Sequence, residues 1–416
     1  MDRLIIEGGV PLDGEVQISG AKNCALPLMA ATLIANGEHR FTNVPHLRDI
    51  RTMQALLAHM GAVSRHDDIL RVDTSVIHTL EAPYDLVKTM RASVLVLGPM
   101  LARYRQARIS LPGGCAIGAR PINLHLKALE QMGVDINLEH GYVVGQAKRL
   151  RGTVISFDQV TVTGTENIMM AACLADGVTV LKNSAREPEV VALADYLNRM
   201  GAQIEGAGTD EITIRGVSEL SPSSCEVIPD RIEAGTYLIA AGITGGALKL
   251  TGCEPDHVHG IIQKLGDAGL SIKSYEDCIE VRCKGRIRSV NVETQPFPGF
   301  PTDMQAQFMA LMALGSGVSL IKERIFENRF MHVLELQRMG ADIQLDGRTA
   351  IVRGVRKLSG APVMATDLRA SASLVLGALA AEGTSEITRI YHLDRGYEAI
   401  EKKLSAVGAK IERVSG

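Results

Sequence analysis

The segment Arg199-Met200-Gly201-Ala202-Gln203 decides the fold, because five further segments of the 416-residue sequence repeat its pattern. In each, a glycine lies between an apolar-periodic stretch and a short extended stretch; the six glycines are Gly61, Gly133, Gly201, Gly269, Gly340 and Gly408. Consecutive glycines are 72, 68, 68, 71 and 68 residues apart. Glycine is common just after a helix end, where the backbone turns left-handed. The near-constant spacing predicts six copies of one structural unit.

The repeating unit contains two helices and four strands. In one copy, an apolar helix at 167–175 precedes a β-rich run at 178–181, an amphipathic helix at 190–200 and short strands at 202–204 and 211–214. With the strand that enters the first helix, the unit reads β-α-β-α-β-β. Three such units, packed through their helices, make a domain of about 200 residues. The sequence therefore predicts an α/β protein with two domains of three units each.

The two ends of the chain are predicted to pair within one domain. The opening strand, Leu4-Ile5-Ile6, leads into the first helix much as 351–352 leads into the last unit, and the final strand, Lys410-Ile411-Glu412, lacks a closing partner. Pairing them gives one domain over 21–229 and another over 1–20 plus 230–416. The chain would cross between domains near residues 20 and 229, where we expect a hinge and a ligand cleft.

The composition argues against several classes of protein. Hydrophobic residues make up 46% and charged residues 22%, and a net charge of −3 gives no general attraction to nucleic acid or membranes. With 4% aromatic residues and no tryptophan, base-stacking platforms are not expected. We see no signal peptide and no apolar run of membrane-spanning length. No obligate protein partner is implied.

The cysteines and the short motifs indicate a protein without metal or cofactor. The seven cysteines are scattered without C-x-x-C pairs. This favours free thiols in a reducing cytoplasm over a disulfide framework or a zinc site. The sequence has no G-x-x-x-x-G-K motif, no G-x-G-x-x-G after a first strand and no H-E-x-x-H.

The segment 111–121, Leu-Pro-Gly-Gly-Cys-Ala-Ile-Gly-Ala-Arg-Pro, predicts a loop that carries a thiol and a cation. Four of its first eight residues are Gly or Pro, which disfavours a helix or a central strand. Arg120 lies five residues after Cys115, at the approach to a helix, where a cation and backbone N–H groups can bind an anion. The alternative is a surface turn with an incidental cysteine.

Two further residues are candidates for chemistry. Lys22 lies just ahead of an apolar helix, where an ammonium group suits a phosphate; the alternative is a solvated surface lysine. Asp303 follows the proline-rich stretch 296–301 and is predicted to be a helix N-cap. Its carboxylate could take a proton from a substrate hydroxyl, or it could be a plain cap.

Several arginines occupy related positions in different units. Singly, each is more often part of a surface salt bridge. Together they suit a substrate that carries phosphates and a carboxylate. These residues are Arg91, Arg120, Arg329, Arg369 and Arg395.

The sequence resembles the enolpyruvyl transferases over residues 1–414. The resemblance implies an inverted, inside-out α/β barrel of two domains, each with three β-α-β-α-β-β units around buried helices. The cysteine loop favours the branch that acts on UDP-N-acetylglucosamine over the branch that acts on shikimate 3-phosphate. The motifs that carry the resemblance are Gly20-Ala21-Lys22-Asn23, the loop 112–121, Pro301-Thr302-Asp303, Glu327-Asn328-Arg329 and Asp367-Leu368-Arg369.

The resemblance implies transfer of the enolpyruvyl group of phosphoenolpyruvate to the 3′-hydroxyl of UDP-N-acetylglucosamine, with release of phosphate, as the first committed step of peptidoglycan synthesis. It implies that Cys115 protonates C3 of phosphoenolpyruvate and is the target of the epoxide fosfomycin. Asp303 would deprotonate the sugar hydroxyl. The positions implied to contact phosphoenolpyruvate are Lys22, Arg120 and Arg395, with Arg329 and Arg369 as further anion contacts.

The resemblance also implies a set of contacts to the nucleotide sugar. Family members often carry a Lys-Val-Ser-Val-Gly-like segment at the nucleotide, whereas this sequence has glutamine, Gln159, in place of the lysine. The threonines that follow can still form hydrogen bonds. The implied contact positions are Asn23, Arg91, Arg120, Pro121, Ile122, Asn123, Leu124, Val160, Thr161, Thr163, Asp303 and Ile325. The resemblance also implies that Asp367 is a substrate-binding residue, without saying which substrate it contacts.

Two other hypotheses stay open at this point. One is an enzyme of the same fold that acts on shikimate 3-phosphate or on an RNA 3′-phosphate; the cysteine loop and the lack of a basic surplus speak against it. The other is a binding paralogue without turnover, against which the joint presence of Lys22, Cys115, Asp303 and Arg395 speaks.

Overall fold

The computed structural model describes residues 2–111 and 122–416. These residues fall into two compact units. We call residues 20–111 and 122–228 the internal unit, and residues 2–19 and 229–416 the terminal unit. Each unit holds three four-stranded sheets and one apolar core.

The terminal unit begins with the first two strands, β1 (Arg3–Glu7) and β2 (Asp13–Gln17). The internal unit follows, with elements α1 (Lys22–Ala31), β3 (Glu38–Thr42), α2 (Arg48–Met60), β4 (Val63–His66), β5 (Leu70–Asp73), β6 (Glu81–Ala82), α3 (Tyr84–Val87), α4 (Leu97–Tyr104), β7 (Gln106–Ser110), α5 (Asn123–Gln131), β8 (Asp135–Glu139), β9 (Tyr142–Gln146), β10 (Val154–Ser156), α6 (Val162–Ala172), β11 (Val178–Lys182), α7 (Pro188–Arg199), β12 (Gln203–Glu205), β13 (Glu211–Arg215) and β14 (Ser224–Glu226).

The rest of the chain completes the terminal unit. Its elements are α8 (Arg231–Thr244), β15 (Ala247–Thr251), α9 (His259–Asp267), β16 (Ser271–Ser274), β17 (Cys278–Arg282), β18 (Val292–Glu293), α10 (Gln305–Met312), β19 (Val318–Lys322), α11 (His332–Arg338), β20 (Asp342–Asp346), β21 (Thr349–Arg353), β22 (Pro362–Met364), α12 (Ala370–Ala380), β23 (Thr384–Thr388), α13 (Ile400–Ala406) and β24 (Lys410–Val414). Short 3-10 turns lie at Thr32–Ile34, Arg91–Val96, Pro255–Val258, Thr302–Met304 and Ile390–Arg395.

The six marker glycines adopt the backbone conformation that the sequence predicts. Their φ angles are all positive, from 91° at Gly340 to 113° at Gly61. This region favours glycine because a side chain would crowd the backbone. Each marker ends the second helix of its repeat; two strands follow the first five markers, and one strand, β24, follows Gly408. The repeat prediction is therefore confirmed at every copy.

All six sheets share one strand pattern. In the sheet β10-β11-β13-β12, for example, the first pair is parallel and the other two pairs are antiparallel. In the sheet β22-β23-β1-β24, strand β1 lies between β23 and β24 and is antiparallel to both. The predicted pairing of the two chain ends is confirmed, and it completes the sixth repeat.

Helices that are apolar all round form the centre of each core. Ten consecutive residues of α12, from Ala370 to Leu379, are buried, as expected of a helix without a polar face. The sheet strands bury alternate residues, as in β13. The predicted boundaries of one inner helix were wrong: α6 spans Val162–Ala172 rather than 167–175 because Thr161 caps its start. The predicted α/β class of six repeats is confirmed.

Within 2–111 and 122–416, no helix is long and apolar enough to cross a bilayer. Over the same ranges, no group of three or more His, Cys, Asp or Glu side chains could hold a metal ion.

Candidate active site

Two buried arginines hold the carboxylate of Asp303 in the terminal unit. Arg329 donates from Nη2 to Oδ1 over 2.7 Å, and Nε of Arg369 lies 3.5 Å from Oδ2. The side chain of Asp303 is 26% exposed, whereas those of Arg329 and Arg369 are only 7% and 3% exposed. The carboxylate is therefore fixed in place and still accessible to a ligand hydroxyl, as a general base must be.

Asp303 is not a helix N-cap, contrary to the sequence prediction. It lies inside the 3-10 turn Thr302–Met304, whose N-cap residue is Pro301. Pro301 is the last extended residue of the proline-rich stretch, with ψ of 136°. Because the turn begins immediately after it, Asp303 belongs to the first turn, and its carboxylate contacts the two arginines.

A buried glutamate, Glu323, orients Arg329 through the hydroxyl of Thr302. Oε2 of Glu323 accepts a hydrogen bond from the hydroxyl of Thr302 over 2.8 Å, and that hydroxyl accepts one from Nη1 of Arg329 over 2.8 Å. Oε1 of Glu323 accepts from the hydroxyl of Thr294 and from the backbone N–H of Ile325, each over 2.8 Å. Glu323 thus ties Arg329 to the segment that carries Ile325.

Arg369 connects Asp303 to the start of helix α8. Its Nη2 lies 3.3 Å from Oδ2 of Asp230, and its Nη1 donates to the carbonyl of Gly396 over 3.2 Å. Oδ1 of Asp230 caps α8 by accepting from the N–H groups of Ile232 and Glu233. Two carboxylates and two guanidinium groups therefore form a charge-balanced cluster, which is how buried charges are tolerated.

Lys22 is a buried cation at the start of α1 in the internal unit. Its Nζ lies 3.0 Å from Oδ2 of Asp49, and the two side chains are 9% and 4% exposed. Asp49 belongs to the first turn of α2. The alternative of a solvated surface lysine is therefore wrong. Asn23, the next residue of α1, is half-buried.

The threonines predicted to contact the nucleotide sugar lie at the start of α6. Thr161 is the N-cap residue, and its hydroxyl accepts from the N–H of Gly164 over 3.2 Å. The hydroxyl of Thr163 lies 3.3 Å from Nε2 of His125, in helix α5. Val160 packs against the core of the internal unit. The structure thus brings the start of α6 next to α5.

The remaining described candidates lie near helix or turn ends. Arg91 is the first residue of the 3-10 turn Arg91–Val96, and Arg395 is the last residue of the 3-10 turn Ile390–Arg395. Both arginines are half-buried. Ile122 is the N-cap residue of α5, followed by exposed Asn123 and half-buried Leu124. Oδ1 of Asp367 accepts from the N–H groups of Arg369 and Ala370, each over 2.9 Å, and so steadies the start of α12.

Three candidates lie outside the described residues. Cys115, Arg120 and Pro121 all belong to residues 112–121. The roles implied for them therefore stay predictions.

Five residues that hold these groups in place were not predicted from the sequence. Asp230 could have been predicted as a helix N-cap, because Asp230 and Glu233 match the capping-box pattern. The repeat gave a weaker indication for Asp49, which lies twelve residues before Gly61, as Glu189 lies twelve residues before Gly201. The other three residues act through contacts between distant parts of the chain, which no local pattern reveals. They are Glu323, His125 and Asn167, whose Nδ2 lies 3.0 Å from Nδ1 of His125.

Comparisons with known proteins identify the family. A model of EPSP synthase (3-phosphoshikimate 1-carboxyvinyltransferase) matches residues 6–404. A UDP-N-acetylglucosamine 1-carboxyvinyltransferase of Geobacter metallireducens is 60% identical over 415 residues, covering 100% of both chains. The chain belongs to the UDP-N-acetylglucosamine 1-carboxyvinyltransferase family of enolpyruvyl transferases. A member from Thermodesulfovibrio yellowstonii is 59% identical, again over 100% of both chains. The chain is therefore a transferase by family.

Solved structures of enolpyruvyl transferases share the fold. The enolpyruvyl transferase NikO of Streptomyces tendae is 26% identical, with a TM-score of 0.89 over 100% of this chain and 99% of NikO. An EPSP synthase of Acinetobacter baumannii is 17% identical, with a TM-score of 0.78 over 100% of both chains. The second likeness concerns the fold alone. These likenesses confirm the predicted α/β fold of the enolpyruvyl transferases.

Proposed function

We propose that this chain transfers the enolpyruvyl group of phosphoenolpyruvate to the 3′-hydroxyl of UDP-N-acetylglucosamine, with release of inorganic phosphate. This reaction is the first committed step of peptidoglycan synthesis. The observation that carries the proposal is the 60% identity, over the full length of both chains, to relatives that bear the name of this activity. The fixed and accessible carboxylate of Asp303 supports it.

Asp303 is the proposed base for the sugar hydroxyl. The hydroxyl proton moves to a carboxylate oxygen as the hydroxyl oxygen forms a bond to C2 of phosphoenolpyruvate, and C3 gains a proton, proposed to come from the Cys115 thiol. The resulting adduct then loses a proton from C3 and breaks its C2–O bond to phosphate, which restores the double bond. Arg329 and Arg369 keep the carboxylate aimed throughout.

Cations supply the proposed site for phosphoenolpyruvate, a small trianion. Lys22 is assigned to it because a buried ammonium group at a helix start favours a phosphate or carboxylate. Arg120 and Arg395 are assigned to the same substrate by resemblance. In the described structure, Arg329 and Arg369 contact Asp303. We therefore assign these two arginines first to positioning the base.

The proposed contacts to UDP-N-acetylglucosamine are assigned by resemblance. They come from the starts of α1, α5 and α6, from Arg91, and from Asp303 and Ile325. Both substrates are small molecules, and no nucleic acid, membrane or cofactor enters the proposed reaction. The six described cysteines are free thiols, as the reducing cytoplasm would keep them, and the cytoplasm is the proposed location.

A phosphate-release assay with two acceptors tests the proposal. The enzyme receives phosphoenolpyruvate with UDP-N-acetylglucosamine, with shikimate 3-phosphate, or with no acceptor. We expect phosphate only with the nucleotide sugar. Phosphate with shikimate 3-phosphate alone would favour the activity named by the matching family model, and no phosphate with either acceptor would favour a binding paralogue.

A further inference from the structure

The side chain of Asn167 bridges two backbone groups of a neighbouring helical segment. Its Oδ1 accepts from the N–H of Gly98 over 2.6 Å, and its Nδ2 donates to the carbonyl of Val94 over 2.9 Å. An uninterrupted α-helix would join these two groups to each other, but here the 3-10 turn Arg91–Val96 passes into α4. Because an N–H only donates and a carbonyl only accepts, the two backbone partners fix which end of the amide is oxygen.

The fixed amide in turn fixes the protonation of His125. The second N–H of Nδ2 points to Nδ1 of His125, at 3.0 Å. Nδ1 must therefore accept, and the neutral ring carries its hydrogen on Nε2. Burial favours the neutral form and lowers the pKa of His125 to about 4. Protonation would place two N–H donors against each other at Nδ1.

The histidine tautomer then determines what the Thr163 hydroxyl can do. Nε2–H of His125 donates to Oγ1 of Thr163, at 3.3 Å. The hydroxyl hydrogen of Thr163 is therefore directed away from His125 and can be donated elsewhere. Thr163 is the second residue of α6 and is half-buried. The positive end of the helix dipole favours an anionic acceptor at this position.

The same hydrogen-bond chain joins three of the four segments of the internal unit that are proposed to bind the nucleotide sugar. Through Val94 and Gly98 it reaches the segment that begins at Arg91; through His125 it reaches the start of α5; and through Thr163 it reaches the start of α6. The two backbone groups thus set, one after another, the hydrogen-bond roles of three side chains: Asn167, His125 and Thr163.

We infer that His125 is a positioning residue for the nucleotide sugar: Asn167 holds it as the Nε2–H tautomer, and it holds the Thr163 hydroxyl as a donor to an oxygen of that ligand. This inference rests on the proposed function. Thr163 is the contact residue, and His125 and Asn167 act through it.

Calorimetric titration of the whole chain with UDP-N-acetylglucosamine tests the inference. Thr163→Val removes the hydroxyl and should weaken binding about 10-fold, the lower end of the range for a hydrogen bond to a charged group. His125→Phe leaves this hydroxyl unoriented and should weaken binding by up to a similar factor. The double variant should bind no more weakly than Thr163→Val, because both changes act on the same hydrogen bond to the ligand. Thr163→Ser and His125→Gln keep the donors and should bind within about 3-fold of the original protein.

His39 provides a matched control. It is also buried in the internal unit, its pKa is also lowered to about 4 by burial, and it bonds to the hydroxyl of Tyr196 rather than to a proposed contact residue. His39→Phe should leave the affinity for the nucleotide sugar unchanged. Equal losses in His39→Phe and His125→Phe would reduce His125 to a structural residue and overturn the inference, as would additive losses in the double variant.

Nitrogen-15 NMR of the histidine side chains gives a readout that does not depend on activity. The histidine signal that the original protein shows and His125→Gln lacks belongs to His125. At pH 7 this signal should be that of a neutral ring whose Nδ1 accepts a hydrogen bond and whose Nε2 carries the hydrogen. The opposite tautomer would overturn the inference even if the chain turns over the nucleotide sugar. If the tautomer is as inferred but the original protein does not bind the nucleotide sugar, the proposed function fails instead, and with it the ligand assigned to Thr163.

Discussion

Arg329 donates from Nη2 to Oδ1 of Asp303 over 2.7 Å, and its other amino group, Nη1, is held by Thr302 over 2.8 Å. A planar fork with two anchored ends has little freedom to rotate. Asp303 is therefore held in one orientation before any substrate arrives. Preorganisation of this kind lowers the cost of reaching the transition state.

Replacing this fork with a single ammonium group should impair catalysis. In Arg329→Lys the charge remains, but one ammonium cannot span Thr302 and Asp303. We expect kcat to fall about 10- to 100-fold, the value of a hydrogen bond to a charged group, with a smaller change in the KM of the nucleotide sugar. Arg324→Lys is the matched control, since exposed Arg324 pairs with Glu293 nearby, and it should stay within about 2-fold. Equal kcat values in the two variants would contradict the role of Arg329.

The ion pair of Lys22 and Asp49 should affect phosphoenolpyruvate more than the nucleotide sugar. Lys22→Ala removes the buried cation that is proposed to bind the anionic substrate, so we expect at least about 100-fold lower kcat/KM for phosphoenolpyruvate. Thermal unfolding controls for folding, and calorimetry of UDP-N-acetylglucosamine should show retained binding. A folded variant with the original turnover and the original KM for phosphoenolpyruvate would remove Lys22 from the site.

The sequence predicted the features that depend on local geometry. The six marker glycines correctly predicted six helix ends, because glycine adopts the positive φ angle of the residue after a helix with less strain than other residues. The unpaired final strand required a partner, and β1 supplies it. The fixed carboxylate of Asp303 was also predicted, although Asp303 is not the N-cap: Pro301, two residues earlier, ends the extended segment and caps the turn.

The partners of the site residues could not be read from the sequence. Asp49 meets Lys22 across 27 residues of chain, and Asn167 meets His125 across 42. These contacts arise only when helices pack, and helical periodicity specifies the buried face of a helix but not the polar pair across it. Buried polar residues within apolar helices, such as Asn167, nevertheless mark places where such a partner must exist.

The stability of the protein should depend on the neutral state of His39. Burial, assisted by Arg103, lowers its pKa from 6.5 to about 4. As the pH falls below 6.5, the unfolded chain takes up a proton that the folded chain refuses, so the free energy of unfolding decreases. From pH 7 to pH 5 this loss is about 2 kcal/mol. His39→Gln has no side chain that titrates in this range. Denaturant titrations should therefore show that the difference in free energy of unfolding between the original protein and His39→Gln shrinks by that amount from pH 7 to pH 5. A difference that does not change with pH would contradict the lowered pKa of His39.

Fosfomycin should label Cys115 ahead of the other thiols. Burial raises the pKa values of Cys24, Cys173, Cys225, Cys253 and Cys283, with values of about 12 for Cys173 and about 11 for Cys253, and so disfavours their reactive thiolates. Cys278 is half-buried. Peptide mapping after treatment should place the adduct on Cys115, and Cys115→Asp should resist labelling while it keeps some turnover, because a carboxyl group can still carry a proton. Label mainly on another cysteine, or full activity in Cys115→Ser, would overturn the role of Cys115.

The most direct measurement is the identity and amount of the products formed from phosphoenolpyruvate and UDP-N-acetylglucosamine. We expect a new nucleotide sugar whose mass exceeds that of the substrate by one enolpyruvyl group less one hydrogen, with its vinyl ether on the 3′-oxygen by NMR, and one inorganic phosphate for each molecule formed. Arg329→Lys should form the same product more slowly. Phosphate released without the nucleotide sugar, or an enolpyruvyl group on any other oxygen, would contradict the proposed transfer.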